Sequence, residues 1–230
     1  MARATLHRLR TAVRPLVPRR FHALATRAVG HAIALALKGN RVSCPCCGAR
    51  LRRFVVYPSL YCPRCGSYER HRLLALHLQR HPELLAPPLR LLQVSPDRPL
   101  ARLLIREGIE RVSIDIDNPN VDLEMDVHEL AFPDETFDAV LALSVLDAVA
   151  DQPQALAELH RVLRRGGRAI FQVSVPEQPR LAASLIEAGF DTEIVRPADF
   201  GADAVATYAL IPEEETYLCR KPLPAGERTP

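Results

Sequence analysis

The chain has 230 residues, 48% of them apolar and 25% charged. These are ordinary values for a globular chain and argue against wholesale disorder. No apolar run reaches the roughly 18 residues that a bilayer-crossing helix needs, and six cysteines are too few for a disulfide scaffold of this length. The net charge of +3 conceals an asymmetry: Met1 to Tyr68 holds 13 basic and no acidic residues, and the remainder holds 17 basic and 27 acidic. The two ends are therefore expected to do different work in a soluble, cytoplasmic protein.

Residues 1–40 read as a basic helical arm broken by Pro15 and Pro18. In its second helix Phe21, Leu24, Ala28, Ala32 and Leu35 recur at helical spacing, with Arg20, Arg27, His31 and Lys38 to one side. The alternatives are a contact with an anionic surface, nucleic acid or membrane lipid, and a helix merely docked on the body.

Residues 41–68 carry two Cys-x-x-Cys-Gly turns, Cys44 to Gly48 and Cys62 to Gly66. Each lets two thiolates grip one ion from a tight turn, the glycine supplying the left-handed backbone. Cys44, Cys47, Cys62 and Cys65 thus form a closed tetrahedral set for structural zinc, with iron as the alternative. A hairpin within Arg50 to Tyr61 would complete a zinc ribbon. Cys46 could exchange with Cys47 as ligand, and Cys219 lies far away.

Residues 69–88 read as a connecting helix and linker. Ser67 is expected to cap the helix, with Leu73, Leu74 and Leu78 buried; Glu69-Arg70-His71-Arg72 reads either as a solvated first turn or as a binding element. From residue 89 to 222, before a tail at 223–230, short apolar runs alternate with helical stretches. Strands are expected at Leu89–Val94, Arg111–Ile116, Val121–Met125, Phe137–Leu143, Arg168–Val173, Thr192–Val195 and Thr216–Arg220. Helices are expected at Pro99–Glu107, Pro153–Arg164, Arg180–Ala188 and Ala202–Tyr208. The implied fold is α/β, a Rossmann-like, mostly parallel, seven-stranded sheet with helices on both faces.

The run from Asp126-Val-His-Glu-Leu through Phe137-Asp and Ser144-Val-Leu-Asp to Arg161-Val-Leu-Arg-Arg-Gly-Gly resembles class I S-adenosylmethionine-dependent methyltransferases. The two metal turns, Glu69-Arg-His-Arg and Leu91-Leu-Gln-Val-Ser-Pro-Asp narrow the resemblance to a bacterial subgroup with an N-terminal zinc ribbon. The resemblance implies S-adenosylmethionine as cofactor, held by Ser95, Pro96, Asp97, Asp115, Ile116, Asp126, Val127 and Ser144. Strand-edge carboxylates suit this: Asp115 offers acceptors to the ribose hydroxyls, with Asp117 as fallback, and Asp126 with the Val127 N–H suits adenine. Ser144 would face the methionine portion and Asp97 its ammonium or sulfonium end. Ser95-Pro96-Asp97 replaces a glycine-rich loop, which weakens the expected cofactor grip.

No nucleophile is required, and Asp147 and His71 are the conceivable bases. His128 and His160 read as surface residues. The acceptor would be a small molecule, a glycan or a carrier-bound group. The competing functions are a catalytically inactive methyltransferase-like binding protein and a nucleic-acid-directed methyltransferase using the basic front end. Oligomeric state is not legible.

Overall fold

A computed structural model describes residues 22–56, 59–100, 104, 107–173 and 175–224. Phe21 and everything before it, including Pro15, Pro18 and Arg20, therefore lie outside the described residues. Among the described residues no helix is long and apolar enough to cross a membrane.

Helix α1 spans His22–Ala36. Its inward face is not the expected one: Ala28, Ala32 and Leu35 are exposed, Leu35 at 74%, whereas Ala34 is buried and Ile33 and Leu37 are partly covered. The offset has a steric cause, because α1 approaches the second metal turn so closely that a Cβ on Gly30 would lie 2.4 Å from the Pro63 carbonyl oxygen.

Strand β1 (Lys38–Ser43) pairs antiparallel with β2 (Arg50–Leu51), and β3 (Val55–Val56) pairs with β4 (Leu60–Tyr61). The β3–β4 pair is the hairpin expected between Arg50 and Tyr61, and the β1–β2 ladder adds a second short sheet to the ribbon. Helix α2 (Glu69–Arg80) follows with Tyr68, not Ser67, at its N-cap. Every residue from His71 to Leu78 is buried, so the first turn is not the solvated one the pattern suggested. A helix covered all round sits between two bodies, here the ribbon and the large sheet.

The large sheet contains β5 (Leu89–Val94), β6 (Ile109–Asp115), β7 (Leu123–Glu124), β8 (Phe137–Leu143), β9 (Leu163–Gln172), β10 (Asp191–Val195) and β11 (Thr216–Arg220) in the order β10-β11-β9-β8-β5-β6-β7. Strands β5 to β9 pair in parallel and only β11 runs against its neighbours. The connections reverse direction between β5 and β8, which makes the ends of those strands the topological switch point.

Helices α3 (Gln152–Val162), α4 (Gln178–Glu187) and α5 (Ala202–Tyr208) complete the domain. Asp151 caps α3 by accepting the Gln154 N–H at 3.0 Å, and Ala155, Leu156, Leu159 and Val162 form its buried stripe. Along β8, Val140 and Ala142 pack into the core beneath α3 and α4, while Ala139, Leu141 and Leu143 face the core shared with α2 and the ribbon. Most of the helix expected at Pro99–Glu107 lies outside the described residues.

Two local departures have clear causes. Strand β7 is shorter than Val121–Met125 because the Asp122 carboxylate accepts the Ser113 N–H at 2.8 Å and its hydroxyl at 2.5 Å, substituting for a ladder rung. The Gly166-Gly167 pair forms an irregularity inside β9. Gly166 has φ of 70°, and a Cβ on Gly167 would lie 2.7 Å from the Arg164 carbonyl.

Candidate metal centre and cofactor edge

The two ribbon turns are near copies. Gly48 N–H returns to the Cys44 carbonyl at 2.8 Å and Gly66 N–H to the Cys62 carbonyl at 2.7 Å, with φ of 70° and 83° at the glycines. The turns face each other and bring the sulfurs of Cys44, Cys47, Cys62 and Cys65 within 4.8 Å of one another. Cys44 and Cys65 sulfurs are 3.7 Å apart, Cys47 and Cys62 sulfurs 3.8 Å. A tetrahedral ion with metal–sulfur bonds of about 2.3 Å requires sulfur–sulfur edges of about 3.8 Å, so the donor set fits zinc. Cys46 lies beside Cys44 but outside the four-sulfur cluster, its sulfur donating to the His71 carbonyl at 3.4 Å, and Cys219 is buried beside Thr192. Ser67, fully buried, places its hydroxyl 3.2 Å from the Cys44 sulfur and 3.3 Å from that of Cys65. Its role is to support the thiolates.

The C-terminal ends of β5, β6, β7 and β8 form the other centre. Ser95 leaves β5 with φ of 48° and Ser144 leaves β8 with φ of 54°. Side chains rarely adopt this left-handed backbone, so the loops after two adjacent strands both bend sharply at the switch point. Ser95 takes the conformation that glycine would supply. The Ser95 N–H bonds to the Ile114 carbonyl at 2.8 Å and the Ser144 N–H to that of Gln172 at 2.7 Å.

Asp115 ends β6. Its Oδ1 accepts the N–H groups of Asp117 and Asn118 at 2.9 and 3.0 Å, which ties Asp117 into the turn as a backbone donor. Burial opposes its ionisation, yet the Ser95 hydroxyl and the backbone donors outweigh burial and hold the carboxyl below its ordinary value. Ile116 beside it is 57% exposed, an apolar surface at a polar edge. Met125 N–H meets the Asp115 carbonyl at 3.1 Å, so Asp126 and the buried Val127 follow immediately at the same edge. Asp126 Oδ1 already accepts from the His128 backbone at 2.9 Å and its ring at 2.6 Å, which lowers its pKa. His128 is thus a partner of Asp126 and only partly exposed, and half-buried His160 stacks edge-on against Phe190; neither is a plain surface residue.

Asp97, next to Pro96, accepts from His71 Nε2 at 2.8 Å. The other ring nitrogen of His71 accepts the Tyr68 N–H at 2.9 Å, so both nitrogens are engaged and His71 is not available as a base. Asp147 lies exposed in the turn after β8. The motif reading named Arg72 without its structural role. It is fully buried, donating to the carbonyls of Tyr208, Leu60, Ser67 and Ala209 at 2.7, 3.0, 3.1 and 2.8 Å. That reading missed Glu214, nine-tenths buried, whose carboxyl burial raises to about 7. A charged residue beside a loop gives no sequence sign of being covered. A separate groove of about 340 Å³, lined by Leu84, Ala139, Ile170 and Arg220, opens at the opposite edge of the sheet and takes no part in the site.

Strand order, switch point and edge carboxylates are those of a Rossmann-like α/β domain behind a ribbon. Residues 99–171 match the family model described as a methyltransferase domain. Among curated proteins, the chain is 31% identical over 103 residues to a phosphatidylethanolamine N-methyltransferase of Cereibacter sphaeroides, covering 44% of this chain and 49% of that one. It is 38% identical over 61 residues to the ubiquinone/menaquinone biosynthesis C-methyltransferase UbiE of a Marinomonas strain, covering 26% and 24%. The match spans about half the length of the first relative and a quarter of the second. Among solved structures, the [4+2]-cyclase SpnF superposes with a TM-score of 0.50 at 22% identity over 67% of this chain and 81% of that one, a likeness of fold.

Proposed function

We propose that the protein binds S-adenosylmethionine at the edge formed by β5 to β8 and transfers its methyl group to a small-molecule, glycan or carrier-bound acceptor. The observation that carries this reading is the pair of left-handed serines, Ser95 and Ser144, opening the sheet at its switch point beside Asp115. Asp115 would accept from the ribose, Ile116 would lie against the adenine, and Asp126 Oδ2 with the Val127 N–H would meet its polar edge. Asp97 would face the ammonium end.

When bound, the cofactor supplies a methyl group on a sulfonium already primed to lose it. The chain's own task is to align the acceptor, exclude water and take up a proton where the acceptor carries one. The two relatives are named for N- and C-methylation respectively, so they support methyl transfer without selecting an acceptor atom. The cyclase likeness means that fold alone does not carry the chemistry.

Calorimetry with S-adenosylhomocysteine tests the reading. The parent should bind, and Asp115→Ala should weaken binding at least tenfold, about 1.4 kcal/mol, for the lost ribose contacts. No heat at millimolar protein and ligand ends the cofactor assignment, and undiminished binding by Asp115→Ala ends the ribose placement.

A further inference from the structure

Asp97 occupies a loop ill equipped to hold it. Pro96 beside it has no N–H, and Ser95 is already committed to the left-handed turn. What fixes the carboxylate comes from α2. His71, 1% exposed, bonds through Nε2 to Asp97 Oδ2 at 2.8 Å, and Arg70 Nη2 approaches the same oxygen at 3.9 Å. Because Nδ1 accepts the Tyr68 N–H, the ring's proton must sit on Nε2, and the ring donates to Asp97 as a neutral imidazole. Burial, the largest influence, keeps it from gaining a second proton against the pull of Asp97, with Arg70 and Arg72 reinforcing burial. Two bonds on opposite sides of the ring leave it no freedom to rotate. The Cys46 thiol on the His71 carbonyl anchors its backbone to the first metal turn. Asp97 remains 32% exposed, so the loop offers the rest of its carboxylate outward.

We propose that His71 is a positioning residue of the cofactor site: its Nε2–H fixes Oδ2 of Asp97, so that Oδ1 is presented to the ammonium group of the cofactor's methionine moiety. The inference rests on the cofactor reading above and adds a reason for the ribbon. Glu69 accepts from the Ser59 hydroxyl at 2.6 Å and the Leu60 N–H at 2.7 Å, and Arg72 binds the Leu60 and Ser67 carbonyls, so residues on both sides of His71 are fastened to the metal module. The ribbon is the footing on which the missing glycine loop is replaced.

The test compares two ligands by calorimetry: S-adenosylhomocysteine, and 5′-methylthioadenosine, which keeps the adenosine and thioether but lacks the amino-acid group. His71→Ala should weaken S-adenosylhomocysteine at least tenfold and leave 5′-methylthioadenosine within twofold of the parent. His71→Gln, whose side-chain amide can still donate to Asp97, should restore most of the loss. Asp97→Ala should show the same ligand-selective defect, which keeps the test open should His71→Ala fold poorly. Equal losses for both ligands, or no loss for S-adenosylhomocysteine, would overturn the role of His71 while leaving the cofactor assignment standing. A parent that binds neither ligand overturns both.

Discussion

Replacing Arg72 by Met should cost more than any other single change in the connecting helix. The guanidinium is fully buried, lies 4.1 Å over the Phe54 ring and donates to four carbonyls. Burial pulls its pKa below the ordinary arginine value, and Glu69 leads the charges that oppose this. Ser67 O keeps a second donor, the Cys62 N–H at 2.8 Å, so the loss falls mainly on the carbonyls of Leu60, Tyr208 and Ala209. At about 1.5–3 kcal/mol for each bond to a charged donor, less the desolvation relieved when the charge itself is removed, the expected loss is about 3–5 kcal/mol. That is a large share of a typical total of about 5–15 kcal/mol. In urea unfolding, with a slope of about 2–3 kcal/mol per molar, the midpoint should fall by about 1.5 M. Arg72→Lys should recover little, because one ammonium cannot span carbonyls on three sides. A midpoint shift under about 0.3 M for Arg72→Met would refute the clasp.

The metal set predicts one tetrahedral ion per chain. Cobalt loading should give thiolate-to-metal absorption that Cys47→Ser or Cys62→Ser abolishes and Cys46→Ser or Cys219→Ser leaves unchanged; loss of the band in Cys46→Ser would mean that the wrong cysteine was chosen. Glu214 predicts a pH effect of definite sign. Its carboxyl keeps a proton to about pH 7 in the native state, raised by burial with Arg70 opposing and Glu69 assisting, whereas the unfolded chain releases it near about pH 4.3. Between those values the native state binds more protons, so this group's contribution to stability falls as pH rises. Glu214→Gln should therefore gain about 2 kcal/mol relative to the parent between pH 5 and pH 8 in urea unfolding, and a difference independent of pH would show the carboxyl to be ionised throughout.

Strands β5, β8 and β11 run as their apolar patterns indicate, because most positions of each are buried and a polar residue closes each run. Where a side chain does a backbone's work, the pattern misleads. Asp122 shortens β7 by bonding Ser113, and Ser95 adopts φ of 48° in a loop that has no glycine. The exposed face of α1 was hidden for another reason, since Gly30 packs by virtue of having no side chain and hydropathy gives it no weight. Ser67 was legible as a cap by type, but the nearer call on its hydroxyl comes from the sulfurs of Cys44 and Cys65, which only the folded ribbon brings together. At the edge formed by β5 to β8, the end of β6 at Asp115 was readable. Asp115 Oδ1 and Asp126 Oδ1 being taken by local N–H groups was not, because Asx-type turns depend on the path after the strand.

The density of charge at Glu69-Arg70-His71-Arg72 follows from helix geometry. Successive side chains leave a helix about 100° apart, so four in a row sweep nearly its whole circumference. Glu69 reaches the ribbon strand at Ser59 and Leu60, Arg70 lies over the Tyr68 ring and toward Asp97, His71 holds Asp97, and Arg72 ties the ribbon to the turn after α5. On a surface helix such a sequence would spend at least two of these residues on solvent. Here the helix is largely enclosed, and Glu69, His71 and Arg72 are each matched where they point. Apolar residues at these four positions would leave the Leu60 N–H and the carbonyls of Tyr208 and Ala209 without their side-chain partners. The same turn therefore explains how a metal module too small to build its own core is joined rigidly to the edge of the sheet where the cofactor is proposed to bind.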